Sequence, residues 1–143
     1  MPHIVFTAQM STGIESIDAD HRGLVDVINE LTDNIESHAH AVRVENTLAA
    51  LISYAHDHFH REEKLMLQCR YGGLRQHMDD HHQFSLQVYE LQRRYVLEPQ
   101  TVELVEVRDF LGAWLTHHIL ETDMAYVQAV LKRPSGKAER LRQ

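Results

Sequence analysis

The sequence predicts an all-α protein: an antiparallel up-down-up-down four-helix bundle built around one core. Three observations predict it. Apolar residues recur with the helical period along four separate stretches, each of roughly 20 to 30 residues. Most of the three prolines and six glycines lie at the apparent boundaries of these stretches and not inside them. Each of the four apolar stripes also carries at least one His, Asp or Glu at a position that should be buried.

Residues 1 to 15 have no clear period and read as an N-terminal arm. The first helix is expected from near Asp18, capped by Ser16 or Asp18. Leu24, Val25, Ile28, Leu31 and Ile35 form its stripe, and His21 lies on it one turn earlier. SHAHA, residues 37 to 41, is a connection. The second helix is expected from about Val44 to Cys69, striped by Leu48, Leu51, Ile52, Ala55, Phe59, Leu65 and Met66. Continuing that stripe demands positions 58 and 62, which hold His and Glu. Tyr71-Gly72-Gly73 breaks the helix.

The third helix runs from about Leu74 to Tyr95, with His77 and His81 heading a stripe of Phe84, Val88, Leu91 and Tyr95. LEPQ, residues 97 to 100, makes the turn. The fourth helix runs from about Thr101 to Lys132. Its stripe is Leu104, Val107, Leu111, Trp114, Leu115 and His118, then Ile119, Asp123, Tyr126 and Val130. The buried face slips by one residue near His118. A π-bulge produces such a slip, and π-bulges are frequent at functional sites.

With no linker or internal repeat, residues 1–133 form one domain, and residues 134–143 form a polar, basic tail. A chain of 143 residues, 43 % apolar and 24 % charged, suits one soluble domain with a sizeable core. The formal charge of −7 argues against nucleic acid as a partner. No apolar run approaches the roughly 20 residues that span a bilayer. The single cysteine, Cys69, and the lack of a secretion signal at the N-terminus fit the cytoplasm. A monomer is expected.

Twelve histidines are the outlying number, and histidine is the commonest protein metal ligand. His58 with Glu62, and His77 with His81, stand at i, i+4, so each pair shares one helix face a turn apart. Unpaired polar groups in a core are costly, and bound metal supplies a reason for them. The set is His21, His58, Glu62, His77, His81, His118 and Asp123. It exceeds the four ligands of a structural zinc. Two metals bridged by both carboxylates and one oxygen use it fully: three histidines complete six-coordination at one, and two leave the other a position open. Mixed imidazole and carboxylate ligation suits iron, while the spacing leaves manganese and zinc open.

The strings IDADH, HFHREE, HMDDHHQF and WLTHHILETD resemble the hemerythrin family, especially its bacterial single-domain members, from about Gly13 to Tyr126. The resemblance implies an oxo- or hydroxo-bridged non-haem di-iron centre that binds O2. By that resemblance His77, His81 and His118 complete one iron, and His21 and His58 bind the iron with the open position. Glu62 and Asp123 bridge. In WLTHHI the matching histidine is the one before Ile, hence His118 and not His117. Phe59, Trp114, Leu115 and Ile119 match the apolar lining of the O2 pocket. Phe6, where many relatives carry Trp, and the basic tail depart from the family pattern without touching a ligand position.

The resemblance implies O2 storage, delivery or scavenging by a protein that is not an enzyme. The alternatives are an O2 or redox sensor acting through a partner, and a di-iron oxidase or nitric-oxide-handling enzyme. No E-x-x-H motif of the carboxylate-rich di-iron oxidases is present. His56 and His60, a further i, i+4 pair, point roughly opposite His58 and Glu62 and read as solvated. His3, His38, His40, His82 and His117 read the same way, as does the pair Asp79-Asp80. The basic residues Lys132, Arg133, Lys137, Arg140 and Arg142 read as a solvated tail, with docking to a partner as the alternative.

Overall fold

The computed structural model describes residues 4–132; His3 and the basic tail from Arg133 onward lie outside them. Four helical rods follow one another: α1 (Glu15–Glu36), α2 (Ala41–Gln68), α3 (Leu74–Leu97), and a compound rod. The compound rod is α4 (Leu104–His117), a π-helical segment (His118–Asp123) and α5 (Met124–Leu131). The connections are short, which makes sequential rods antiparallel neighbours. α1 packs on α2 and α4, and α2 packs on α3. The ring closes where Phe84 of α3 stacks on Trp114 of α4, 3.9 Å between centroids. The fold is the four-helix bundle that the stripes predict. Among the described residues no helix is long and apolar enough to cross a membrane.

The boundaries differ from the sequence reading in instructive ways. α1 starts at Glu15, and neither Ser16 nor Asp18 caps it. Asp18 turns back to the arm instead, accepting from the Thr12 backbone N–H (2.8 Å), the Thr12 hydroxyl (2.7 Å) and the Ser11 hydroxyl (2.9 Å). Those bonds outweigh the cost of burial and hold its carboxyl below the usual range. α2 starts at Ala41, three residues before Val44, and α3 runs on to Leu97. The fourth rod starts at Leu104, because residues Pro99–Thr101 make a separate 3-10 turn. Proline is favoured at such a start, where its missing N–H costs nothing.

α1 and α2 end alike. His38 (φ 54°) and Arg70 (φ 56°) adopt the left-handed conformation. The next amide then reaches back five residues, from Ala39 to the Asn34 carbonyl and from Tyr71 to the Met66 carbonyl, both at 2.9 Å. This is the hydrogen-bond pattern with which helices commonly stop, usually on glycine. The break after α2 therefore falls on Arg70, ahead of Gly72 and Gly73.

The arm is docked. The Asn29 side-chain amide grips Ile4 from both sides, accepting from its N–H and donating to its carbonyl, each at 2.9 Å. Phe6 lies under the Arg22 guanidinium, 4.6 Å away. Two apolar clusters make the core. The larger runs from Met10 through Leu31, Leu48, Phe84 and Leu111 to Leu115 and Ile119. The smaller holds Met66, Tyr126 and Val127 at the other end.

Replacing His38 or Arg70 with glycine removes a left-handed penalty of about 1 kcal/mol. Each variant should melt a few degrees higher by circular dichroism. A lower midpoint in both would show that the side chains compensate the backbone strain.

Candidate metal centre

Each rod brings its share of the polar set to one level of the core. α1 supplies His21, α2 supplies His58 and Glu62, and α3 supplies His77 and His81. The π segment supplies His118 and Asp123. None of the seven is more than 4 % exposed. The π segment is what allows the last two to meet. Positions five apart on an α-helix point about 140° away from each other. One π turn closes over five residues, so His118 and Asp123 both face inward. The one-residue slip legible in the sequence is this segment. His117 is left outside, pairing with Glu121 at 3.0 Å on the surface.

The seven converge as two overlapping groups. Glu62, His77, His81, His118 and Asp123 form one; His21, His58, Glu62 and Asp123 form the other. Within each, one ligand atom per residue lies within 4.8 Å of all the others. Asp123 spans the two groups. Its Oδ2 lies 3.0 Å from His21 Nε2, while its Oδ1 lies 3.0 Å from His77 Nε2 and 3.1 Å from His118 Nε2. Glu62 Oε1 lies 3.1 Å from His58 Nε2 and 3.3 Å from His81 Nε2.

These spacings are short, yet many do not satisfy the atoms involved. Both nitrogens of His21, the Nε2 atoms of His77, His81 and His118, Glu62 Oε1 and both Asp123 oxygens are buried without a hydrogen-bond partner. Hydrogen bonds need direction as well as distance. So many orphaned buried atoms in one place are uncommon. Lone pairs aimed at shared points between the side chains are what a cation demands, and the donor set, imidazole with carboxylate, suits iron. The residues fit a pair of metal ions.

A surrounding layer fixes the set, and periodicity alone did not reveal it. Asp20 Oδ2 lies 2.9 Å from His58 Nδ1, and Arg61 clamps the same carboxylate with two bonds of 2.7 Å. Glu63 Oε2 lies 2.8 Å from His81 Nδ1. A proton on each Nδ1, donated to its carboxylate, leaves Nε2 free to face the centre. Tyr126 donates its hydroxyl to Glu62 Oε2 at 2.7 Å. The one signal for Tyr126 was a buried phenol three residues after Asp123, since a buried hydroxyl needs an acceptor.

Of the four expected lining residues, two stack on imidazoles of the set and two lie in the apolar core. Phe59 stacks on His81 (3.8 Å between centroids) and half-buried Trp114 stacks on His118 (4.3 Å). Leu115 and Ile119 are buried in the larger apolar cluster. His38, His40, His56, His60, His82 and Asp79 are exposed, while Asp80 is half-buried and accepts from Gln76 at 3.2 Å.

Charge shapes the cluster. Burial opposes ionisation of Glu62, but His58 and the neighbouring imidazoles hold it well below the usual carboxylate range. Burial and Glu62 both push Asp123 up, yet His118, His21 and His77 bring it down to about 2. Burial disfavours the imidazolium of His58, but Glu62 and Asp20 raise its pKa to about 9. Asp20, held by His58 and Arg61 against the cost of burial, falls to about 2. Burial and the two central carboxylates raise the Tyr126 phenol far enough that it keeps its proton.

Comparison with known proteins places this arrangement. Residues 12–130 match the family described as the hemerythrin HHE cation binding domain. The chain is 34 % identical over 130 residues to bacteriohemerythrin of Pseudomonas aeruginosa, covering 91 % of this chain and 83 % of the relative. It is 28 % identical over 112 residues to myohemerythrin of Riftia pachyptila, covering 78 % and 81 %. The crystal structure of a wild-type hemerythrin superposes with a TM-score of 0.82 at 25 % identity, covering 90 % of this chain and 98 % of that one.

Two outcomes follow from the electrostatics and the shared carboxylates. The raised pKa of His58 stabilises the metal-free protein below its unfolded value of about 6.5, and that stability is lost as pH rises toward about 9. Metal binding has the opposite sign, because it displaces protons from its ligands. The gap in melting temperature between iron-loaded and metal-free protein should widen between those pH values; a constant gap would refute it. Asp123→Ala should sharply lower the iron retained after anaerobic loading, whereas His117→Ala should leave it unchanged. Undiminished iron in the Asp123 variant, measured by chelator assay, would remove that residue from the centre.

Proposed function

The chain belongs to the hemerythrin family, and from that premise we propose that it binds O2 reversibly at a di-iron centre, for storage, delivery or scavenging. The observation that carries the reading is the pair of overlapping ligand groups that share Glu62 and Asp123. His77, His81 and His118 would hold one iron, and His21 and His58 the other, with both carboxylates bridging. The pair of ferrous ions, when bound, would supply the electrons and the open position for O2.

The chain's own residues supply the rest. Asp20 and Glu63 keep the His58 and His81 rings turned so that Nε2 faces inward. Tyr126 pins Glu62 Oε2, and its raised pKa keeps the proton on the phenol, as a positioning bond and not a proton source. Phe59 and Trp114 cover imidazole faces, and Leu115 and Ile119 add apolar bulk. Water and protons are thereby kept from the centre. O2 that gains no protons can leave as O2, which favours carriage over turnover. The site is rich in imidazole, with carboxylates only at the two shared positions, unlike the carboxylate-rich oxidases weighed above.

The test is anaerobic ferrous protein mixed with O2 in a stopped-flow spectrometer, then deoxygenated. A visible band that forms and disappears on removal of O2 supports the reading. Irreversible oxidation, or steady consumption of a reductant, favours the oxidase. Leu115→Ala should open the apolar lining to water and speed oxidation to the ferric protein, by roughly tenfold if the lost exclusion is worth about 1.4 kcal/mol. An oxidation rate equal to that of the native protein would show that Leu115 does not guard the pocket.

A further inference from the structure

The seven central groups are buried, so a ferrous ion needs a way in. One surface cleft touches the set, at His81. It lies between α2 and α3, holds about 230 Å³, and has His81 in its wall. The rest of its lining is His56, Phe59, His60, Glu63, Met78, His82 and Ser85. Three imidazoles, a carboxylate and a thioether are all donors for transition metals. No lysine or arginine lines the cleft to repel a cation.

The cleft also meets the two side chains that hold the His81 ring. Glu63, partly exposed, grips His81 Nδ1 at 2.8 Å, and Phe59 covers the ring face at 3.8 Å. Release of that grip frees the imidazole to turn outward, and renewal of it returns Nε2 to the centre. The corresponding bond on the other side has no such freedom, because Arg61 clamps Asp20 through both oxygens. His56, His60 and His82 have no part in the centre itself and stand exposed on its threshold.

We propose that this cleft is the loading route for the centre: His56, His60 and His82 capture ferrous iron at the surface, and Glu63 passes it to His81. The inference rests on the di-iron reading above. It gives a role to histidines that the sequence alone read as solvated.

The experiment measures loading, not O2 binding. Metal-free protein is mixed anaerobically with ferrous iron, and the rate at which iron becomes resistant to a fast chelator is followed. The variant His56→Ala/His60→Ala/His82→Ala should load about tenfold more slowly, as expected for loss of local capture. It should still reach the native iron content and the native melting temperature. A control variant, His38→Ala/His40→Ala/His117→Ala, removes three surface histidines elsewhere and should load at the native rate. Equal rates in the cleft variant and native protein overturn the proposal, as does equal slowing in the control. Native protein that takes up no iron refutes the di-iron reading itself, and the loading route with it.

Discussion

The constraint on which this structure depends is the burial of five imidazoles and two carboxylates in one layer of a helical core. Seven such groups do not stay buried unless each lone pair and proton is accounted for. The layer separates the two apolar clusters, and its partners come from every rod. Asp20 (itself held by Arg61), Glu63 and Tyr126 satisfy the outward-facing atoms of His58, His81 and Glu62, and the inward-facing atoms of the set share points suited to cations. The π segment belongs to the same account. An unbroken α-helix would put His118 and Asp123 on different faces, and one of them would be lost from the layer.

The two sides of the layer are supported differently. The carboxylate behind His58 is neutralised and clamped by a guanidinium; the one behind His81 faces a surface cleft. A neutralised carboxylate draws less strongly on the imidazole proton, so the two rings differ in donor strength although their chemistry is the same. The pairing that sequence spacing makes look symmetrical, one i, i+4 pair on each of two neighbouring helices, is therefore unequal in its surroundings.

Much of this was legible in the sequence. The four stripes named the rods, and Leu24, Ile28, Leu48, Leu51, Phe84 and Leu111 are buried where the period put them. The phase slip at His118 was legible because polar residues marked the buried face on either side of it. Helix ends were less so. His38 and Arg70 accept a conformation usually left to glycine, and Asp18 serves the arm and not the helix start. Those choices depend on backbone bonds that leave no periodic trace. Asp20 and Glu63 escaped for another reason. Each sits beside a residue already singled out, but its partner lies on a neighbouring helix, 38 and 18 residues away. Only packing reveals such pairs.

The division of the apolar core has a consequence for how the molecule breathes. The ends of α2 and α5 that carry Met66, Tyr126 and Val127 are separated from the main cluster by the polar layer. A region joined to the rest chiefly through such a layer forms its own unit of local opening. Amide exchange there reports on the state of the layer, while exchange around Leu31, Leu48 and Leu111 reports on global unfolding.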